Sequence, residues 1–184
     1  MKLTAKKSAD SELRRIKQLY KSAFPNNERK PWDSMLKLAQ VGAMEILSCR
    51  EPDFCGLAIT VFWQDTVLLD YLAVEEKRRN HGCGGRILQA LAERYQKRRI
   101  IVEIERPGAP GLNPALCLSR RDFYLRNGFA ECGFAAHIYH SEFLLLSNQT
   151  PFTFAEYHRL YYDSFGAKIC DWLDIRPFDQ NENR

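Results

Sequence analysis

Cysteine pairs at redox or metal-site spacing are absent from this chain. Its six cysteines (49, 55, 83, 117, 132 and 170) form no C-x-x-C, and none stands at zinc-site spacing from the four histidines. That excludes a thioredoxin-type motif or a structural zinc. No metal is expected, and reduced thiols in a cytoplasmic setting are the expected state. No apolar run is long enough to cross a bilayer, and the first residues lack the basic and apolar regions of a secretory signal; no membrane partner is expected. Charge of one sign is also scarce. Lys and Arg number 27 against 23 Asp and Glu, a net +4, too little to imply a nucleic-acid partner. Internal repeats and a dividing linker are missing as well, so a single domain spanning residues 1–184 is expected, long enough to bury a core of its own.

What is present is concentrated in residues 68–105. Leu68, Leu69, Tyr71, Leu72 and Val74 read as a buried strand, and the apolar character stops at Glu75-Glu76-Lys77-Arg78-Arg79. Gly82, Gly84 and Gly85 follow, and Ile87, Leu88, Leu91 and Tyr95 then recur at helical spacing. Residues 99–105 return to an extended pattern. A helix that begins in a glycine-rich turn presents unpaired N–H groups and the positive end of its dipole. With Arg78, Arg79 and Arg86 around it, this turn reads as a phosphate or pyrophosphate cradle. It is not a P-loop, since no Lys-Ser or Lys-Thr follows the glycines. Nor is it a dinucleotide fingerprint, because a charged run separates strand from glycines.

Arg79-x-x-Gly82-x-Gly84 resembles the R/Q-x-x-G-x-G/A signature of the GNAT N-acetyltransferase superfamily, which grips the pyrophosphate of coenzyme A. The L-A-V before the turn and Phe123-Tyr124-Leu125-Arg126-Asn127-Gly128-Phe129 downstream resemble the flanking segments of that family, and the likeness covers residues 66–139. It implies an α/β (α+β) fold, a mixed, mostly antiparallel sheet of about six to seven strands flanked by about four to five helices. It implies acetyl-CoA as cosubstrate and direct acetyl transfer to a primary amine on a small molecule or peptide, by a monomer or homodimer. The other class of function left open is an acyl-CoA-binding regulatory module with little turnover.

The residues implied for coenzyme A are Leu72, Ala73 and Val74, whose N–H groups hold the pantetheine arm and polarise the thioester, and Arg79, Asn80, His81, Gly82, Cys83, Gly84, Gly85 and Arg86 for the pyrophosphate. Tyr124 takes the family's tyrosine position, from which a phenol protonates the leaving thiolate. Three carboxylates compete as general base. Glu103 comes first, on a V-E-I segment resembling the L-E-V of protein N-terminal acetyltransferases; Asp70, mid-strand in an apolar run, is second; Glu105 is third. The family's Asn near the start of the next helix is replaced, in this alignment, by Cys117. Glu28, in the polar loop over 24–31, and Glu105 are the candidate acceptor-binding residues.

Elsewhere the pattern predicts a short strand over 3–6 and a helix over 11–21 with Asp10 as its cap. A second helix opens at Pro31 and carries Trp32, Met35, Leu36 and Ala39. Hairpin strands are expected over 43–50 and 54–64, with a further strand over 67–74. A Pro/Gly loop over 106–114 precedes a helix over 118–127 stopped by Gly128. A last hairpin is expected over 130–139 and 142–147, and a capping box at Thr153–Glu156 opens a final helix ending near Gly166. Residues 179–184 are polar and expected to fray.

Overall fold

Apolar alternation and helical periodicity give eight strands and six α-helices in a computed structural model, which describes residues 1–6, 11–139 and 141–178. Contacts group the chain into two compact units, Met1–Arg98 and Arg99–Arg184. Asp10 and residues 179–184 lie outside the described residues.

The first unit contains β1 (Lys2–Ala5), α1 (Ser11–Ala23), α2 (Trp32–Gln40), β2 (Met44–Arg50), β3 (Phe54–Trp63), β4 (Thr66–Val74) and α3 (Cys83–Arg94). Its strands lie in the order β1-β2-β3-β4, each antiparallel to its neighbour. Residues 54–61 of β3 are buried consecutively, so both faces of that strand are covered. Leu13, Ile16 and Tyr20 form the buried stripe of α1, and Cys83, Ile87, Leu88 and Leu91 that of α3. Pro31 is the N-cap of α2 rather than its first residue.

The close approach of α3 to the sheet depends on Gly56. A Cβ there would stand 2.5 Å from the Ala73 carbonyl oxygen and 3.1 Å from Ile87 Cδ1. Gly56→Ala is therefore expected to destabilise the protein by about 1–3 kcal/mol through overpacking; denaturant melts at fixed slope measure it.

At the other end of the unit, Glu12 of α1 ties that helix to β2. Its Oε1 accepts from Ser48 Oγ at 2.7 Å and Arg50 Nη1 at 2.9 Å, and Lys6 pairs with its other oxygen. Partial burial pushes the Glu12 carboxyl up, but the hydrogen bonds from Lys6, Ser48 and Arg50 prevail and hold it down at about 2. The unfolded chain takes up this proton at a higher pH than the folded one. The stability contributed is thus complete above the ordinary glutamate value and is lost as pH falls through about 2. Glu12→Gln is expected to flatten the acid limb of the stability–pH curve over that window and to leave its slope above pH ~6 unchanged.

The second unit contains β5 (Arg99–Glu105), α4 (Pro114–Arg126), β6 (Ala130–Ile138), β7 (Ser141–Ser147), α5 (Phe154–Phe165), α6 (Ala167–Leu173) and β8 (Arg176–Pro177). The strand order is β5-β7-β6-β8, again with antiparallel pairs. The capping box is present: Thr153 Oγ1 accepts from Glu156 N at 3.2 Å, and Glu156 Oε2 accepts from Thr153 N at 2.8 Å.

Three expectations need correction. First, α4 starts at Pro114, four residues before the expected 118. Asn113 caps it by accepting from Ala115 N at 3.0 Å and Leu116 N at 3.4 Å, and Pro114 supplies a first-turn φ without an N–H to satisfy. The proline that reads as loop is the helix start. Second, α6 was not expected. It is short, and Ile169 and Trp172 are exposed, so its sequence carries no clean amphipathic signal. Third, β8 is two residues long, below the length at which alternation is readable. These two additions raise the expected strand and helix counts to eight and six.

Candidate functional site

Between β4 and α3 the chain makes a 3₁₀ turn over Glu76–Arg78 and reaches Gly82, which caps α3 in the left-handed conformation at φ +72°. A side chain at 82 would be strained by that φ and would stand 2.9 Å from Arg86 Nη1. No side chain caps α3, no acidic residue occupies its first turn, and the first intrahelical bond runs from Arg86 N to Gly82 O at 3.2 Å. The N–H groups of Cys83, Gly84 and Gly85 precede that bond and have no acceptor within the helix.

This helix end opens on a cleft of about 410 Å³ lined by Glu51, Cys55, Lys77, Arg78, His81, Cys83 and Arg86. Three cationic side chains face one carboxylate. Arg86 is held in place from two sides, donating to Glu51 Oε2 at 2.7 Å and to the His81 carbonyl at 3.0 Å. Arg79 turns back to donate from Nε to the Val74 carbonyl at 3.1 Å, fixing the end of β4, and its own carbonyl meets His81 Nδ1 at 2.6 Å. Burial pushes the Cys55 thiol up to about 12, with Cys83 adding to the shift, so Cys55 is a neutral wall at physiological pH. Unpaired N–H groups, a helix dipole and three cationic side chains, of which Arg86 is held in place, together make an anion site suited to a pyrophosphate.

The strand that feeds this cleft is irregular where chemistry is expected. Ile59 pairs with Tyr71 and Thr60 with Leu69, so Asp70 is the extra residue of a β-bulge in β4. The Asp70 side chain is only 3% exposed; its Oδ1 lies 2.6 Å from Lys30 Nζ, and Oδ2 has no hydrogen-bond partner among the described residues. Next to it, Tyr71 binds the 24–31 loop. Its hydroxyl donates to the Glu28 carbonyl at 2.8 Å and accepts from Lys30 N at 3.0 Å. Tyr20 OH donates to the Lys30 carbonyl at 3.1 Å. Glu28 thus meets β4 through its main chain, and its side chain is exposed.

In the second unit, Glu103 and Glu105 share one half-buried face of β5, as period-two alternation requires. Glu103 Oε1 accepts from Tyr157 OH at 2.6 Å and Tyr161 OH at 2.7 Å, both on α5. Tyr157 is fully buried, and burial followed by the Glu103 charge raises its hydroxyl well above the usual phenol range. Glu105 forms an ion pair with Arg120 of α4. Tyr124 is buried on α4 between Phe123 and Phe129, with ring centroids 5.1 and 5.5 Å away. Burial pushes its hydroxyl up to about 12, opposed by the Arg120 guanidinium.

Known structures agree with this architecture. A protein from Bacteroides thetaiotaomicron described as a GNAT-family acetyltransferase superposes with a TM-score of 0.76 at 20% identity, covering 91% of this chain and 99% of its own. The fold is that of the GNAT acetyltransferases. An aminoglycoside 6'-N-acetyltransferase complexed with coenzyme A matches with a TM-score of 0.61 at 14% identity, over 83% of this chain and 98% of its own. The ribosomal-protein-S18-alanine N-acetyltransferase of Escherichia coli matches with a TM-score of 0.58 at 15% identity, over 79% and 92%. No family model matches the chain, and no curated protein matches it.

Within the GNAT fold, the first unit brings together His81, Cys83 and Arg86 at the cleft, with Gly82 as the cap of α3 between them, and joins Asp70 to the loop that carries Glu28. Arg79 does not line the cleft; Arg78, one residue earlier, does, because the 3₁₀ turn rotates the two arginines apart. Lys77, Glu51 and Cys55 escaped the sequence reading. Lys77 belongs to a charge run that reads as solvated surface, whereas Glu51 and Cys55 reach the cleft only through the β2–β3 hairpin, which no local signal relates to the glycine turn. Tyr157 and Tyr161 were missed as partners of Glu103; their i, i+4 spacing on an amphipathic helix was the available signal.

Proposed function

We propose that this protein is an N-acetyltransferase that transfers an acetyl group from acetyl-CoA directly to a primary amine. One observation carries this reading: an uncapped α3 N-terminus, entered from β4, that opens on a cleft lined by Lys77, Arg78, His81 and Arg86. These residues and the first-turn N–H groups bind the pyrophosphate. Main-chain groups of Leu72, Ala73 and Val74 orient the thioester and draw charge onto its carbonyl oxygen.

Of the three carboxylates, Asp70 best suits the base. Glu103 already accepts two phenol hydrogen bonds from α5, and Glu105 and Asp70 each pair with one cation, but only Asp70 lies on β4, the strand assigned to the thioester. Asp70 keeps one buried oxygen without a hydrogen-bond partner among the described residues, at the bulge of β4.

Tyr124 is the proposed acid at sulfur. A phenol at about 12 is a weaker acid than a thiol near 8.5, so it stabilises the departing thiolate by a hydrogen bond rather than by surrendering its proton outright. Tyr124→Phe is accordingly expected to lower kcat by about 10- to 150-fold, the range of a hydrogen bond to a charged group, with unchanged acetyl-CoA affinity. Steady-state thiol release, with chemistry shown to limit the rate, measures it.

The reading as a whole is tested by following thiol release from acetyl-CoA across a panel of amines comprising aminoglycosides, polyamines, free lysine and peptides with an amino-terminal alanine. Turnover with at least one class is expected. Tight acetyl-CoA binding with no turnover across the panel would instead identify a binding module.

A further inference from the structure

A lysine of this chain already stands where an acceptor amine would be activated. Lys30 Nζ lies 2.6 Å from Asp70 Oδ1 and 5.4 Å from the Tyr71 ring centroid, over its face. The lysine is not a wandering surface chain, because its backbone is pinned from both sides: Lys30 N donates to Tyr71 OH at 3.0 Å, and its carbonyl accepts from Tyr20 OH at 3.1 Å. The side chain remains 27% exposed, whereas that of Asp70 is almost wholly buried. Asp70 precedes Leu72 by two residues on β4, so the ammonium is held by a residue that adjoins the segment assigned to the thioester.

We propose that Lys30 is an acetylation site of this protein, modified by the chain's own acetyl-CoA-dependent chemistry. The inference rests on the proposed function, namely that acetyl-CoA is the cosubstrate and lies along Leu72–Val74. Asp70 takes a proton from the Lys30 ammonium, and the resulting amine attacks the thioester carbonyl carbon. A C–N bond forms and the C–S bond breaks; the second proton of the nitrogen passes through solvent to the departing sulfur, so coenzyme A leaves as a thiol, and Asp70 returns its proton to solvent; nothing is oxidised or reduced. The product is an uncharged acetamide. The ion pair is lost with the charge, and Asp70 is left to face an external amine.

The test uses the full chain with ¹⁴C-acetyl-CoA and no added amine, read by intact mass and by peptide mapping. One acetyl group per chain on Lys30 is expected, at a rate per chain independent of protein concentration. Purified protein that already carries this group counts as the same result if Asp70→Asn protein from the same host lacks it. Lys30→Arg, which keeps the charge beside Asp70, should lose the mapped label, and Asp70→Asn should slow it by on the order of 10²-fold. Heat-unfolded protein gives the chemical background. Label spread over surface lysines at the background rate, or a Lys30 rate that rises with protein concentration, overturns the proposal. The amine panel run on the same preparation separates the two failures. Turnover on external amines without Lys30 label sinks this inference alone, whereas neither label nor turnover sinks the acetyltransferase reading with it.

Discussion

Asp70→Asn is expected to lower kcat on the best amine by on the order of 10²–10⁴-fold, the usual worth of a general base, while acetyl-CoA binding changes little. Asparagine keeps the shape of the side chain at the β4 bulge and removes its charge and its ability to take a proton. The substitution also breaks the ion pair with Lys30, half of which is buried, so some stability is lost as well; a melt run beside the kinetics confirms that the variant is folded. The pH–rate profile of the parent should change in Asp70→Asn. Glu103→Gln is the informative contrast. Its carboxylate accepts two phenol hydrogen bonds from α5, so its loss should appear as lowered stability with the pH–rate profile in place. A profile that shifts in Glu103→Gln and stays put in Asp70→Asn would reverse the assignment and restore the order suggested by the V-E-I resemblance.

The second large effect concerns the cradle. Gly84→Val places a branched side chain in the first turn of α3, among the N–H groups that have no acceptor in the helix. Valine is tolerated in a helix, so the fold should survive. The pyrophosphate, however, must approach that backbone closely, and weakening of coenzyme A affinity by about 1–3 kcal/mol, roughly 5- to 150-fold, is expected. Calorimetry on the folded variant measures it, and parental affinity would show that the anion does not rest on this helix end.

The fold was legible wherever a periodic signal was long. The 68–105 stretch has the strand, turn, helix and strand it announces, because apolar run, charge run and glycine cluster each point to one conformation. The capping box at Thr153–Glu156 was equally plain, since two side chains at fixed spacing satisfy two backbone donors. Where signals conflicted, the reading failed. Asn113-Pro114 terminates a Pro/Gly-rich segment and also makes an ideal helix start, and composition alone favoured the loop. The cleft was half legible. Its backbone part comes from consecutive residues, but Glu51 and Cys55 arrive from the β2–β3 hairpin through tertiary contact. The bulge at Asp70 is invisible to alternation, because one inserted residue changes the pairing with β3 without changing the composition of β4. Asp70 stood out in the sequence only as a charge in an apolar run; its pairing with Lys30 gives that oddity a physical content.

The most direct measurement is a calorimetric titration of the native protein with acetyl-CoA and, in parallel, with S-acetylpantetheine, which carries the thioester arm but no pyrophosphate. If the α3 N-terminus and its cations hold the cosubstrate, acetyl-CoA should bind one to one, and the truncated thioester should bind at least 10- to 100-fold more weakly, the loss of one or more charge-assisted contacts. No heat with acetyl-CoA, or equal affinity for the two, would contradict it.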